Sequence, residues 1–200
     1  MGLLTIIKKQ KIKDREIRCL ILGLDNAGKS TIVNKLLPKD DQILDNEITP
    51  TIGFQIHSFY HSEHLITIWD IGGQSTLRPF WDNYFDKTDI LIWCIDVNVQ
   101  IRYDESIKEL KNLINMNNDR IGYDFPILIV LNKTDLLLQQ NDGNNLIEGK
   151  LLSLQDKVIK SLNLENKVTK NYEFIQCSAS HGDGIENIMN SIIASSEYNS

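Results

Sequence analysis

The chain has 200 residues, a net charge of −6, 42% hydrophobic residues and 24% charged residues. That length is one domain's worth and is enough for a substantial core. The composition is that of a soluble globular protein, the acidic balance argues against general nucleic-acid binding, and no stretch reaches the roughly 18 apolar residues of a spanning helix.

Residues 1–13 form a segment of their own, in which Leu3, Leu4, Ile6, Ile7 and Ile12 interleave with Lys8, Lys9, Lys11 and Lys13. This suits a short amphipathic helix, either lying on a membrane surface or docked on the domain of residues 14–200. The myristoylation pattern needs Ser or Thr at position 6; Ile6 stands there, with Thr5 one residue early, so Gly2 is a poor acceptor and membrane contact is expected to be weak or absent. Lysines from Lys8 onward rule out a secretory core, and Ser196 to Ser200 contain no cysteine to prenylate.

Residues 17–22 read as the first strand. They lead into Gly23-Leu24-Asp25-Asn26-Ala27-Gly28-Lys29-Ser30, a G-x-x-x-x-G-K-S loop, and then into a helix from Thr31 that ends near Pro38. Glycines let successive N–H groups turn inward on a phosphate, and the helix N-terminus adds its positive dipole end. Lys29 would bring a point charge to the β- and γ-phosphates, and Ser30 a hydroxyl to Mg²⁺. Residues 39–50 are polar and acidic and read as a long loop, delivering Thr49-Pro50-Thr51-Ile52-Gly53 with Thr51 held extended near the phosphates.

Residues 54–60 and 65–69 read as two strands of a hairpin. Alternation places its histidines His57 and His61 on one face, while His64 lies past the turn, and no cysteine is nearby, so they are not expected to hold a metal. Trp69-Asp70-Ile71-Gly72-Gly73-Gln74 follows. Beside a phosphate loop, Asp70 can hold Mg²⁺ through water, Gly73 can offer its N–H to a γ-phosphate, and Gln74 can orient an attacking water. Residues 75–87 read as a helix carrying Phe80, Trp81, Tyr84 and Phe85. Trp81, Tyr84 and Phe85 are too many large rings for one short helix to bury fully, so part of them is expected to form a partner-binding patch.

Residues 90–97 read as a buried strand, 104–116 as a helix with Ile107, Leu110, Leu113 and Ile114 at helical spacing, and 126–131 as a further strand. That strand delivers Asn132-Lys133-Thr134-Asp135. A carboxylate accepts two hydrogen bonds from adjacent N–H donors, which guanine offers at N1 and N2 and adenine does not, so Asp135 selects guanine. Lys133 can lay its stem over the base, and Asn132 can bridge to the phosphate loop. Residues 137–149 read as a surface loop and 153–162 as a helix, with Ser153 and Asp156 spaced like a capping box. The last strand, 172–176, leads to Cys177-Ser178-Ala179-Ser180, where the Ala179 N–H can meet guanine O6. Residues 185–194 close the chain as an amphipathic helix. Cys19, Cys94 and Cys177 sit in apolar runs without a C-x-x-C pair, as buried reduced thiols do.

With these sites in order, the sequence resembles the Ras-like small GTPases and, more narrowly, the ADP-ribosylation-factor-like (Arf-like) GTPases. The carriers are the phosphate loop of residues 23–30, Pro50-Thr51-Ile52-Gly53-Phe54, Trp69-Asp70-Ile71-Gly72-Gly73-Gln74, Asn132-Lys133-Thr134-Asp135 and Cys177-Ser178-Ala179. Residues 1–9, together with Tyr84-Phe85 and Leu91-Ile92-Trp93, look most like the type-2 Arf-like branch.

The resemblance implies a Ras-like P-loop GTPase fold: an α/β, doubly wound, six-stranded, mostly parallel sheet with one antiparallel edge strand, plus the N-terminal amphipathic helix. It implies a monomeric GTPase that cycles between GTP and GDP with Mg²⁺ held by Ser30, Thr51 and Asp70. Lys29, Thr51 and Gln74 would serve catalysis. Gly23, Asp25, Asn26, Ala27, Gly28, Lys29, Ser30, Thr31, Thr51, Gly73, Asn132, Lys133, Asp135, Ser178 and Ala179 would hold the nucleotide. Phe54, Trp69 and Tyr84 would form an apolar effector patch that rearranges with nucleotide. The branch implies cytoplasmic partners, namely tubulin-folding cofactor D and carriers of lipidated cargo, besides a GTPase-activating protein. Location is expected to be cytoplasmic, with cytoskeletal or membrane association left open.

Intrinsic hydrolysis is expected to be slow, because no arginine is obviously placed to act in cis and Asp25 adds negative charge near the phosphates. Departures from the family pattern are Thr134, Asp82, Leu137-Leu138 with a longer loop after them, and Asn98-Val99-Gln100. They bear on partners more than on nucleotide chemistry. The alternatives are a GTP-binding scaffold that hydrolyses negligibly, an Arf-like membrane-traffic GTPase of another branch, and an ATP-using P-loop kinase, which Asn132 and Asp135 disfavour.

Overall fold

The computed structural model describes residues 16–116, 126–138, 144–162, 164 and 171–197. The expected helix of residues 1–13, Gly2 with it, and residues 139–143 of the long loop lie outside the described residues. Among the described residues no helix is long and apolar enough to cross a membrane.

Six strands, β1 (Glu16–Leu22), β2 (Phe54–His61), β3 (His64–Ile71), β4 (Ile90–Asp96), β5 (Ile127–Asn132) and β6 (Tyr172–Gln176), form one sheet in the order β2-β3-β1-β4-β5-β6. Only the edge strand β2 runs antiparallel, paired to β3 from Phe54↔Ile71 to His61↔His64. The hairpin turns at Ser62, whose φ is 54°. His61 and His64 face each other across it, and no metal-holding cluster of His, Cys, Asp or Glu exists among the described residues.

The central strands read as apolar runs because both of their faces are covered. Alternation then sorts the side chains into two cores. Leu20, Leu22, Leu91, Trp93, Ile95, Ile127, Ile129 and Leu131 point to one side, where they meet α2 (Tyr103–Met116) and α4 (Asn144–Ser161). Ile17, Cys19, Ile21, Ile90, Ile92, Cys94, Leu128 and Val130 point to the other, against α1 (Lys29–Leu36) and α5 (Ile185–Glu197). The short α3 (Thr134–Leu138) follows β5 directly. The buried thiols are free. Burial pushes Cys94 and Cys177 up to about 12, so they remain neutral packing groups near neutral pH.

Three segments depart from the sequence expectation. Residues 75–87 are not an α-helix: Arg78–Lys87 is 3₁₀, entered through Pro79, which has no N–H to donate to the ladder. The tighter winding sends Trp81 and Phe85 into the core, with Trp81 edge-on to Trp93 at 5.6 Å. Tyr84 instead joins Phe54 and Trp69, at ring separations of 5.8 to 6.0 Å. Second, α4 starts at Asn144 and not near Ser153, because Ile147 and Leu151 continue the buried stripe of Leu154 and Val158 upstream. Ser153 and Asp156 therefore lie inside the helix and form no capping box. Third, the loop of residues 39–50 contains two single 3₁₀ turns, Lys39–Asp41 and Asp45–Glu47, fastened by Asn34, whose amide donates to the Ile43 carbonyl and accepts from the Ile43 N–H, both at 2.9 Å.

Candidate functional site

The parallel register brings β4 and β5 to level carboxyl ends, Asp96 opposite Asn132, while the neighbouring β1 stops at Leu22, opposite Trp93. Ligands of open α/β sheets sit at that edge. The loops that leave it are the glycine-rich loop after β1, the Asn98 turn after β4 and the Asn132 turn after β5.

The loop of residues 23–30 is shaped by close approaches. Gly23 has φ 141°, and a Cβ there would lie 2.3 Å from the Cys94 carbonyl oxygen. Gly28 has φ 92°, and a Cβ there would lie 2.3 Å from Asn132 Nδ2. The loop folds back over Lys29, whose Nζ donates to the Gly23 and Leu24 carbonyls at 3.0 and 2.9 Å. Burial holds this amine below its ordinary value. A phosphate entering the loop would meet a cation already desolvated and aimed into it.

Ser30, Thr51 and Asp70 converge from three separate elements. The Ser30 hydroxyl donates to Asp70 Oδ2 at 2.6 Å, the Thr51 hydroxyl donates to the same oxygen at 3.0 Å, and the two hydroxyl oxygens lie 2.8 Å apart. Two protons cannot satisfy three such contacts. Asp70 Oδ1 is buried with no hydrogen-bond partner among the described residues. Burial raises Asp70 above its ordinary value, against the pull of Ser30, Lys29 and Thr51. Hard oxygen donors around one desolvated carboxylate suit Mg²⁺, which takes one or two carboxylates and completes its shell with water and phosphate oxygens.

Gly73 lies against the glycine-rich loop: a Cβ there would come within 2.4 Å of Asp25 N and of the Leu24 carbonyl carbon. The Gly72 N–H donates to the Gly53 carbonyl at 2.9 Å, tying the segment after β3 to the segment before β2. Gln74 is half-buried and lines a cleft of about 430 Å³ with Asp25, Lys29, Ser30, Thr31 and Thr51. A larger recess of about 490 Å³, around Ile90, Pro126, Tyr172 and Ala194, opens at the opposite strand ends, away from every signature residue.

The remaining signature is joined to the loop by one side chain. Asn132 is 1% exposed; its Nδ2 donates to the Ala27 carbonyl at 2.9 Å, and its Oδ1 accepts the Ala179 N–H at 3.1 Å. The Ala179 N–H, expected at guanine O6, is thus engaged by Asn132 in this structure. Ser178 Oγ donates to Asp135 Oδ1 at 2.7 Å. Lys133 takes φ 68° and pairs with Asp96 at 2.8 Å, its stem passing near Gly28.

An arginine pair absent from the sequence reading lies beside the loop. Arg102 grips Asp25 with Nη2 on Oδ1 at 2.8 Å and Nη1 on Oδ2 and on the backbone carbonyl at 3.3 and 3.0 Å. Arg78 lies 3.6 Å from the same carboxylate and bonds the Gly73 carbonyl, Glu105 and Glu109. Asp25 is therefore no free negative charge: the hydrogen bonds from Arg102 hold it below its ordinary value. Arg102 stands 77 residues from Asp25 and carries no local signal; Arg78, just after Gln74, was the readable one.

The family profile that matches is the ADP-ribosylation factor family, over residues 3–196. The chain belongs to the ADP-ribosylation factor family. It is 41% identical to the ADP-ribosylation factor-like protein 2 of Dictyostelium discoideum over 186 residues, covering 93% of this chain and 90% of that protein. It is 39% identical to the protein of the same name in Arabidopsis thaliana, over 92% and 90% of the two chains. The fold is that of the Arl6 BBS3 small GTPase of Trypanosoma brucei with the nucleotide analogue GppNp bound (TM-score 0.71, 21% identity, 92% of this chain and 99% of that one). As an Arf-family protein the chain is a small GTPase, a guanine-nucleotide-binding enzyme that hydrolyses GTP and acts as a switch.

Proposed function

We propose that residues 14–200 form one GTPase domain in which the residues gathered above hold GTP, and that residues 1–13 are a separate regulatory helix. The observation that carries this reading is the Ser30–Thr51–Asp70 contact, where three oxygens share two protons and Asp70 Oδ1 has no hydrogen-bond partner among the described residues. When bound there, Mg²⁺ supplies charge neutralisation to the β- and γ-phosphates.

The chain's own groups do the rest. Gly23, Asn26, Ala27, Gly28 and Thr31 shape and close the phosphate cradle, with Asp25 anchoring it. Lys29 neutralises developing charge on the phosphoryl oxygens. The Gly73 N–H fixes the γ-phosphate, and Gln74 orients water for in-line attack. Asp135, steadied by Ser178, accepts the guanine N1–H and N2–H, while Lys133 covers the base face and Asn132 with Ala179 braces the two loops. With GTP bound, Thr51 and Gly73 are drawn to the γ-phosphate, and hydrolysis releases both segments. Hydrolysis without a partner is slow, because Arg78 and Arg102 are occupied by Asp25, Glu105 and Glu109, and a partner's arginine is worth about 10³–10⁵ in rate.

Phe54, Trp69 and Tyr84 form the effector patch: Phe54 is half exposed and the three rings touch, so a shift of β2 reshapes all of them. The names of the relatives above favour the type-2 Arf-like branch. The partners we propose are a GTPase-activating protein and, from that branch, a tubulin-folding cofactor or carriers of lipidated cargo, met by a monomer in the cytoplasm. Single-turnover hydrolysis of wild type and Gln74→Leu, followed by pull-down with GTP- and GDP-loaded protein, tests the reading. It requires slow wild-type turnover, a Gln74→Leu form trapped with GTP, and partners that prefer the GTP state. Equal rates in the two proteins would refute Gln74, and nucleotide-blind capture would refute the switch patch.

A further inference from the structure

The guanine-reading carboxylate has a neighbour that the four signatures do not contain. His181 Nδ1 lies 3.0 Å from Ser178 Oγ, 3.0 Å from Ser180 Oγ and 3.8 Å from Asp135 Oδ2. The His181 N–H donates to the Ser178 carbonyl at 3.1 Å, so the turn itself fixes where the ring stands. Ser178 spends its one proton on Asp135 Oδ1, leaving Ser180 as the hydroxyl able to donate to a neutral His181 Nδ1.

From this arrangement we infer that His181 is a positioning residue for base recognition, setting how strongly Asp135 can accept from guanine. This rests on the reading of Asp135 given above. Neutral, the ring accepts from Ser180 and leaves both carboxylate oxygens to Ser178 and the base. Protonated, its Nδ1–H becomes a donor that points at Ser178 Oγ and Asp135 Oδ2, and the ring carries a positive charge beside the donor edge of guanine. Both effects weaken the base contact. The ring is 57% exposed and Asp135 16% exposed, so solvent reaches the ring while the carboxylate beside it is sheltered. Of the other charged groups nearby, Asp183 lies in the same turn, and Lys133 is occupied by Asp96. Protonation of the ring therefore weakens guanine binding, so affinity falls as the solution is acidified.

The test uses the full chain loaded with a fluorescent GDP in Mg²⁺ buffer. Its dissociation rate is followed from about pH 8 to about pH 5.5 in wild type and in His181→Gln, which keeps a polar side chain without the titration. Titration of the nucleotide phosphates is common to both proteins and cancels in the ratio of rates. The expected ratio of wild type to variant rises roughly two- to fivefold toward acid, the range of a partly exposed ion pair. His181→Thr serves the same comparison if the Gln variant does not fold. A ratio that stays flat in a foldable variant overturns the role of His181. Asp135→Asn, which should exchange guanine for xanthine, separates the two claims. If it makes that exchange while the ratio is flat, only His181 fails; if it does not exchange, the guanine reading itself fails.

Discussion

Asn132 and Gly28 make one contact seen from two sides, and that predicts a specific coupling. A Cβ on Gly28 would lie 2.3 Å from Asn132 Nδ2, so Gly28→Ala cannot coexist with Asn132 in place. The displaced side chain gives up its bonds to the Ala27 carbonyl and the Ala179 N–H. Ala27 keeps a thiol donor, Cys94 Sγ at 3.1 Å, but the buried Ala179 N–H loses its partner, at about 1–3 kcal/mol. The left-handed φ of 92° at position 28 adds about 1–2 kcal/mol for alanine. Gly28→Ala should therefore destabilise by about 2–5 kcal/mol and Asn132→Ala by about 1–3 kcal/mol. In the double variant the clash is gone and the Asn132 bonds are lost only once, so the pair should cost about 1–3 kcal/mol less than the sum of the singles. Urea unfolding of the four proteins at two GDP concentrations measures this and separates the linkage from nucleotide binding. Additivity within about 0.5 kcal/mol would refute the argument that Gly28 is required by Asn132.

Three further outcomes follow from the site's electrostatics and its exposed rings. Burial raises Asp70 above its unfolded value of 3.8, so its contribution to stability is full below that value and is lost as pH rises through the folded one. In EDTA, wild type should gain in melting temperature relative to Asp70→Asn as pH is lowered from neutral toward about 4, and Mg²⁺ should stabilise wild type alone; a variant still stabilised by Mg²⁺ would contradict the assignment. Arg102→Ala should speed GDP release by a few fold with under about 1 kcal/mol of lost stability, and adding Asp25→Asn should restore slow release; fast release in the double variant would show that Arg102 acts otherwise. Phe54→Ala should cost about 1 kcal/mol or less, since the ring is half exposed, yet abolish GTP-dependent partner capture, and unchanged capture would remove it from the effector patch.

The central strands and the four signatures were legible because each is written locally. An apolar run such as Ile127–Asn132 needs burial on both faces, and Gly-x-x-x-x-Gly-Lys-Ser needs a left-handed turn before a helix. What escaped was decided by distant contacts. Phe80, Trp81, Tyr84 and Phe85 gave no hint which rings would go inside; Pro79 and the Trp93 face decided it. Asn and Gly residues made the start of α4 look like loop, yet Ile147 had a core to meet. Arg102 found Asp25 across 77 residues, and no spacing rule covers that distance.

The register of β5 is what turns separate motifs into one site. Asn132 pairs with Asp96 at the last rung of the β4–β5 ladder, and its side chain leaves on the edge where Ala27 lies. A slip of one residue would put Lys133 at that rung and turn Asn132 to the opposite face, breaking the link from phosphate loop to base loop. Leu128 and Val130 on one face and Ile127, Ile129 and Leu131 on the other forbid the slip only weakly, because both faces are apolar. The register must be held from its ends. At the far end the Leu91 N–H reaches Pro126, and the Ile127 N–H reaches Asn171; at the near end the Val97 N–H reaches the Asn132 carbonyl, and the Cys177 N–H reaches Leu131. The contact between Asn132 and the glycine-rich loop is thus a register lock as well as part of the site, so its loss should cost stability and nucleotide affinity together.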